Sequence, residues 1–259
     1  MKHAEDQKCK VEISIITVAY NAERTIERTI QSVLAQTYPP KEYYIIDGAS
    51  KDRTVAIAER YKDRFQKRGV NYCIISEPDR GMYDALNKGA RMVSGDLIGQ
   101  INSDDWYEPI ALEKVAKLYQ REPFDMTYAD LRMIQPNGQT WIKRAKLSKF
   151  VNSRHWNHPT QFARRDLLLA HPYACQCMSD DLDFMLWVHH HGYKIVIQNE
   201  VLANFTMEGM SHSKNLPEIM DRIKTKANIY RRNGYSWVHA ADIALVEIGK
   251  FVVGMVTSR

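Results

Sequence analysis

Two carboxylates stand together where an apolar run stops. Leu97-Ile98-Gly99-Gln100-Ile101 reads as a buried strand, and it gives way to Asn102-Ser103-Asp104-Asp105-Trp106. Two acids at the carboxyl end of a central strand are costly unless something cationic meets them. In open α/β sheets that end is where ligands bind, and a divalent metal bridging to a phosphate would satisfy both acids. An Asp104-Asp105 pair capping a helix that starts near Glu108 accounts for the same residues without a ligand. A second acidic group, Ser179-Asp180-Asp181-Leu182-Asp183, opens a helix that carries Phe184, Leu186 and Trp187. Ser179 reads as its N-cap, and the helix dipole is reason enough for at least one of the three acids.

The elements that would position these groups alternate. Ile13 to Val18 is a short β-branched strand, and Asn21 is expected to cap a helix running through Ala35, with Ile26, Ile30, Val33 and Leu34 at helical spacing. Tyr43 to Ile46 is a second strand ending at Asp47-Gly48-Ala49-Ser50, followed by one helix from Asp52 to Arg68. Asn71 to Ser76 is a third strand, then come the loop Glu77-Pro78-Asp79-Arg80-Gly81 and a helix from Met82 to Val93. Four strands and three helices in this order suit right-handed crossovers and a parallel sheet. Parallel strands bring Tyr20 and Asn21, Asp47, Glu77 and Asp79, and Asp104 and Asp105 to one edge. No GxGxxG and no Walker lysine loop is present, so a nucleotide bound at that edge would need a metal for its phosphates.

The second half is less regular. A helix is expected from Glu108 to Gln120, a strand from Phe124 to Tyr128, and a hairpin over Leu131 to Ile142 turning at Asn137-Gly138. Between Trp141 and Arg165 the bases Lys143, Arg144, Lys146, Lys149, Arg154, Arg164 and Arg165 occur with no acid, as a solvated basic face or as an anion site. Tyr193 to Gln198 and Val201 to Phe205 read as strands. His189, His190 and His191 point in different directions, which makes a poor metal cage and a good partner for a helix C-terminus. Two helices close the chain, one from near Pro217 and one from Ser236 to Val256. The last has Val238, Ala241, Leu245, Ile248, Val252 and Met255 on one face, with Glu247 near the apolar edge. That face could lie on a membrane, pack on the rest of the chain or pair two subunits.

Composition sets outer bounds. With 259 residues, 44% of them hydrophobic, the chain suits one large domain, or one domain with a C-terminal extension. A net charge of +5 fits an anionic ligand or an anionic membrane surface and does not demand nucleic acid. Cys9, Cys73, Cys175 and Cys177 form no CxxC and are expected to be free thiols in a reducing compartment. No apolar leader segment and no run long enough to span a bilayer is apparent, so a cytoplasmic location is expected.

Four segments, in this order and spacing, resemble the successive motifs of family 2 glycosyltransferases with the GT-A fold: Ile13 to Ala22 (ISIITVAYNA), Asp47 to Thr54 (DGASKDRT), Asp79 to Gly89 (DRGMYDALNKG) and Asn102 to Asp105 (NSDD). The third resembles bacterial enzymes that build O-antigen, capsule and exopolysaccharide. The resemblance implies an α/β fold: a GT-A, Rossmann-like, mostly parallel central sheet flanked by helices, with a C-terminal helical extension. Residues 1–214 would be the GT-A domain, with a nucleotide-binding half at 11–120 and an acceptor and catalytic half at 121–214, and residues 215–259 the helices.

The resemblance further implies an inverting transferase that uses a nucleotide-sugar, most often a UDP-sugar, with Mn²⁺ or Mg²⁺, and a glycan or lipid-linked acceptor. A lipid-linked acceptor would bring the chain to the inner face of the cell membrane. The absence of a QxxRW motif argues against a processive polymerase. Asp47 would bind the base, with Ala19 and Tyr20 alongside. Asp79 and Arg80 would line the nucleotide, with Asn87 and Lys88 on the next helix, where plain surface residues are the other reading. Asp52 reads as a helix cap. Ser103 and Asp104 would meet the ribose and metal, Asp104 first and Asp105 second as metal ligands. Asn102 stands where the family often has another acid. His155 to Phe162 resembles the segment under the donor sugar, so that His158 faces the donor or is a bonded core histidine. Asp180 and Asp181 stand at the Glu and Asp positions of a Glu-Asp-x-Asp-Leu motif, which makes Asp181 the base that takes the acceptor's proton. Gly209 to Ser213 resembles a loop that closes over the diphosphate, with His212 as an added ligand. A non-catalytic nucleotide-sugar-binding protein is the alternative from another class. A nucleotidyltransferase would need a phosphate loop near the first strand.

Overall fold

The computed structural model describes residues 10–207 and 216–257, with only the backbone from residue 250 on. The strand β1 (Ile13–Ala19) is buried along its whole length and lies between β2 (Glu42–Asp47) and β4 (Leu97–Asn102), with β3 (Asn71–Ser76) outside β2; all four are parallel. In this register Ala19 pairs with Asp47, Asp47 with Ser76, and Val18 with Asn102, so the polar strand ends do lie side by side. Helix α1 (Ile26–Leu34) packs Ile26, Ile30, Val33 and Leu34 against one face. Helix α4 (Met82–Met92) packs Tyr83, Leu86 and Ala90 against the other. Two apolar cores result, one on each side of the sheet.

Local readings differ at several points. Asn21 does not cap α1: it has φ 49°, its side chain accepts from Lys51 N at 2.8 Å, and the helix begins five residues later, at Ile26 after Thr25. The single helix expected over 52–68 is two, α2 (Thr54–Glu59) and α3 (Lys62–Lys67), broken at Arg60-Tyr61. Asp52 accepts from Thr54 N and Glu23 N in an Asx-turn just ahead of α2, whose N-cap position is Arg53 rather than Asp52.

Beyond β4 the sheet is mixed. Two very short strands were not legible: β5 (Trp106–Tyr107) and β8 (Phe162–Arg164). Between them run α5 (Ala111–Arg121), β6 (Met126–Ile134), which joins the expected strand and the first arm of the hairpin, and β7 (Thr140–Lys143). β8 runs antiparallel between β4 and β6. The short α6 (Arg165–Ala170) and α7 (Asp180–His190) follow. The two late strands are one, β9 (Ile195–Thr206), parallel to β6 with an irregularity opposite 129–131, and β5 closes on its outer edge. Because β5 follows β4 in the chain but pairs at the far end of the order β3-β2-β1-β4-β8-β6-β9-β5, the sheet curls back on itself. Helices α8 (Leu216–Arg232) and α9 (Trp237–Thr257) form the C-terminal hairpin around Asn233-Gly234.

Gly99 lets β8 approach β4: a Cβ there would lie 2.4 Å from the Phe162 ring and 2.9 Å from Ile15 Cδ1. Gly99→Ala is therefore expected to cost about 1–3 kcal/mol through overpacking. Urea denaturation checks it; an unchanged midpoint would mean that β8 does not need this gap.

Candidate active site

Three loops converge at the ends of β1, β2 and β3. Tyr20 is 66% exposed, and Gly48 N donates to Ala19 O at 2.9 Å. A Cβ on Gly48 would lie 2.8 Å from Asp79 Oδ2 and 3.4 Å from the Tyr20 ring, so these two side chains meet over the glycine. Asp47 is fully buried. Its Oδ2 accepts from Ser50 N at 2.9 Å and Ser76 Oγ at 2.6 Å, and its Oδ1 accepts from Ser50 Oγ. It thus presents the Gly48-Ala49-Ser50 loop to the crevice while its own carboxylate is enclosed. Asp79 Oδ1 accepts from Gly81 N at 2.8 Å, just before α4. Arg80 pairs with Asp84 and stays exposed, and Lys88 bridges Glu77 at 3.0 Å and Pro78 O at 2.9 Å. Asn87 is engaged within the fold. It is buried, and its amide donates to Tyr173 O at 2.8 Å and accepts from Tyr173 N at 3.0 Å, stapling the loop before α7 to α4.

The two acids after β4 separate. Asp105 is fully buried; its Oδ1 accepts from Thr206 N at 3.3 Å and its Oδ2 has no partner. Burial, then the neighbouring Asp104 charge, pushes its carboxyl well above the ordinary carboxylate range. Asp104 is half-buried beside Ser103, and burial raises its carboxyl too, offset in part by its own N–H and by Arg28. Arg28 donates to Asp104 O at 2.8 Å and lies 3.6 Å over the Trp106 ring, while Thr206 Oγ1 donates to the same carbonyl. Asp105 was expected as a second metal ligand, but its enclosure leaves Asp104 as the carboxylate open to a cation.

A divalent ion suits this chemistry. Desolvated carboxyls with raised proton affinity are stabilised by a nearby cation, and a metal held on donor phosphates needs only one or two protein carboxylates. Asp104 can supply one. Among the described residues no cluster of three or more His, Cys, Asp or Glu forms a complete cage. His212 and the rest of 208–215 lie outside the described residues.

The three acids of α7 have different partners. Asp180 is buried and folds the preceding loop, accepting from Gln176 N at 2.8 Å and Cys177 Sγ at 3.1 Å. Asp183 accepts from Arg232 Nε at 2.7 Å and Asn233 Nδ2 at 2.6 Å, with His171 at 3.5 Å. Asp181 Oδ1 accepts from Leu182 N at 2.8 Å, and its Oδ2 lies 3.5 Å from His158 Nδ1. Ser179 stands at the N-cap position but makes no cap bond through its side chain. Two tyrosines absent from the expected site face Asp181. The Tyr83 hydroxyl donates to Met178 O at 3.2 Å and is raised first by burial, then by the Asp181 charge. Tyr173 is raised in the same way, and its hydroxyl donates to Gln100 Oε1 on β4 at 2.6 Å. α4 therefore links the loop of Asp79 at its start to Asp181 through Tyr83. Tyr83 lies inside the third motif, which was the available signal; Tyr173 and Gln100 had none.

Five of the seven bases of the basic stretch are engaged within the fold. Arg144 pairs with Asp130, Arg154 with Asp242, and Arg164 with Asp125 and Asp166, while Lys143 and Arg165 donate to backbone carbonyls. His189, His190 and His191 go to Tyr235, Gly234 and Trp187 O respectively. Cys73, Cys175 and Cys177 are free thiols, and Cys9 lies outside the described residues.

Residues 14–180 match the family described as Glycosyl transferase family 2, and the chain belongs to that family. It is 30% identical over 156 residues to a PGL/p-HBAD biosynthesis glycosyltransferase of Mycobacterium tuberculosis, an alignment covering 60% of this chain and 59% of that protein. It is 30% identical over 154 residues to a chondroitin synthase of Pasteurella multocida, covering 56% of this chain and 15% of that one. The chain thus spans less than two thirds of these relatives. In fold it resembles S. aureus TarS in complex with UDP-GlcNAc, with TM-score 0.69 and 19% identity over 93% of this chain and 71% of that one. It also resembles the mannosyltransferase PcManGT of Pyrobaculum calidifontis in complex with GDP-Man and Mn²⁺, with TM-score 0.62 and 15% identity over 96% and 77% of the two chains. The fold is that of GT-A glycosyltransferases.

Burial would raise the Asp183 carboxyl, but hydrogen bonds from His171, Arg232 and Asn233 outweigh it and hold the group at about 2. A depressed carboxyl stabilises the fold above its unfolded value and loses that contribution as pH falls toward the folded one. Wild type is expected to lose more stability than Asp183→Asn between about pH 4 and pH 2, the interval between the two states of the group. Urea melts at several pH values check this; parallel curves would disprove it.

Proposed function

We propose that this chain is an inverting, non-processive transferase that moves a sugar from a nucleotide donor, a UDP-sugar, to a hydroxyl of a glycan or lipid-linked acceptor. The observation that carries the reading is the sorting of the α7 acids: Asp180 and Asp183 are tied to structure, while Asp181 faces Tyr83, Tyr173 and His158. As the acceptor oxygen attacks the anomeric carbon, Asp181 takes its proton and the bond to the nucleoside diphosphate breaks, in one displacement without a covalent intermediate. The donor binds over Ala19, Tyr20, the Asp47-held loop, Asp79 and Arg80, with Ser103 and Asp104 at the ribose and diphosphate. Asp104 would hold Mn²⁺ or Mg²⁺, which when bound neutralises charge on the departing diphosphate. The UDP-GlcNAc and GDP-Man–Mn²⁺ complexes of proteins with this fold support a nucleotide-sugar and a divalent ion. The named relatives support a role in assembling a bacterial surface glycan or glycolipid.

A screen of nucleotide sugars for metal-dependent hydrolysis identifies the donor. With it, Asp104→Ala is expected to abolish calorimetric UDP binding in the presence of Mn²⁺. Asp181→Asn should lower turnover by about 10²–10⁴-fold with donor affinity kept, the usual worth of a general base. Unchanged UDP affinity in the first variant, or near-normal turnover in the second, refutes the corresponding role.

The acceptor is proposed to be lipid-linked and met at an anionic membrane surface. On α9, Leu245 is 74% exposed and Ile248 50%, beside exposed Trp237, Val238 and Ala241, whereas Glu247 is buried toward α8 and paired with Lys226. Lys224 and Arg231 are exposed on α8. No helix among the described residues is long and apolar enough to cross a membrane, so the face would lie on one. The full chain should float with phosphatidylglycerol vesicles, and Leu245→Asp with Ile248→Asp should not. Equal flotation, or a wild type that stays at the bottom, rejects the docking; a dimer lost in the double variant would assign the face to a second copy.

A further inference from the structure

His158 is enclosed at the carboxyl edge of the sheet with neither ring nitrogen hydrogen-bonded. The segment that carries it is held firmly. Asn157 Nδ2 donates to Ala129 O at 2.8 Å and Lys143 O at 3.1 Å, Thr160 Oγ1 donates to Ala129 O at 2.9 Å, and the Trp156 ring stands edge-on to the imidazole at 5.8 Å. The carboxylate that faces it is Asp181, whose Oδ2 lies 3.5 Å from Nδ1.

Given Asp181 as the base of the proposed transfer, we infer that His158 is its positioning residue: the neutral imidazole carries its proton on Nδ1 and donates it to Asp181 Oδ2. Burial lowers the imidazole's proton affinity, and the Asp181 charge offsets this only in part, so the ring is neutral near pH 7. A neutral ring has one N–H, and its neighbours decide which nitrogen holds it. With the proton on Nε2, the lone pair of Nδ1 would oppose a carboxylate lone pair. With it on Nδ1 the contact is attractive, and a long hydrogen bond of this kind shortens once substrate closes the site. The torsion that turns an aspartate carboxylate is broad. Leu182 N on Oδ1 and His158 on Oδ2 together fix its plane, so that a lone pair stays aimed at the acceptor. Tyr83 from α4 and Tyr173 from the loop before α7 also face Asp181.

The tautomer is directly observable. In the full chain labelled with ¹⁵N-histidine, the His158 signal, identified by its loss in His158→Gln, is expected to show a protonated Nδ1 and an unprotonated Nε2 at neutral pH. Asp181→Ala should move the proton to Nε2. A wild-type ring protonated on Nε2, or a tautomer indifferent to Asp181→Ala, overturns the inference. The kinetic arm uses hydrolysis of the nucleotide sugar found by the screen. In His158→Asn the amide nitrogen stands near the place of Nδ1, and turnover should stay near wild type. His158→Gln places its amide nearer Nε2 and should lose about 10–100-fold in kcat, the common cost of losing a group that orients a reacting side chain. Donor KM should change in neither. Equal losses in both with a raised KM would make His158 a donor contact instead and overturn the proposal. The NMR arm needs no substrate: an Nδ1-protonated ring in a chain that turns over no nucleotide sugar refutes the function and leaves the pairing intact.

Discussion

Everything at this site depends on how the chain turns at the end of β4 with two carboxylates and little solvent. Burying a carboxylate without a counter-charge is prohibitive, and the fold meets that constraint by gripping the turn's backbone. Arg28 and Thr206 both donate to Asp104 O, and Thr29 donates to Asp105 O at 2.6 Å. These donors come from α1, near the start of the chain, and from the end of β9. The turn is therefore the point at which the first and last thirds of the sheet are joined, and the β5–β9 pairing that curls the sheet starts one residue later. The asymmetry between the two acids follows. The backbone grip turns Asp105 inward, with one oxygen unpartnered and a carboxyl that favours its proton, and leaves Asp104 at the crevice.

Much of the first half is legible in sequence because its signals are local. β1, β2, β3 and β4 announce themselves as short β-branched or apolar runs, and a parallel sheet then dictates that their polar ends share an edge. What escapes is non-local. β5 and β8 have two and three residues, too few for any period to register, and exist only because β9 and β4 offer them edges. Asn87 looks like a site residue within a motif, yet its partner is the backbone of Tyr173, 86 positions away. The basic stretch 143–165 reads as a candidate anion site because the acids that pair with it, Asp130, Asp125, Asp166 and Asp242, all lie outside it. A charge count within a window misses every one of them.

The assignment of the base shows how far a motif reaches. The family match ends at residue 180, one position before Asp181, and the claim of Asp181 over Asp180 and Asp183 rests in the sequence on the resemblance alone. Their hydrogen bonds separate them. Asp180 is consumed by its own loop, and Asp183 is held by Arg232 and Asn233 at the bend of the C-terminal hairpin. The hairpin is thus no loose appendage. Asp242 pairs with Arg154, and the His239 ring stacks on Phe150 at 4.3 Å. These contacts fasten the stretch just before His158, while Arg232 fastens α7 two residues after Asp181. Both members of the His158–Asp181 contact are thereby braced in part by chain that lies beyond the matched segment. The polar strand ends come from the GT-A core itself, but the setting of Asp181, the proposed base, also depends on the helices that follow it.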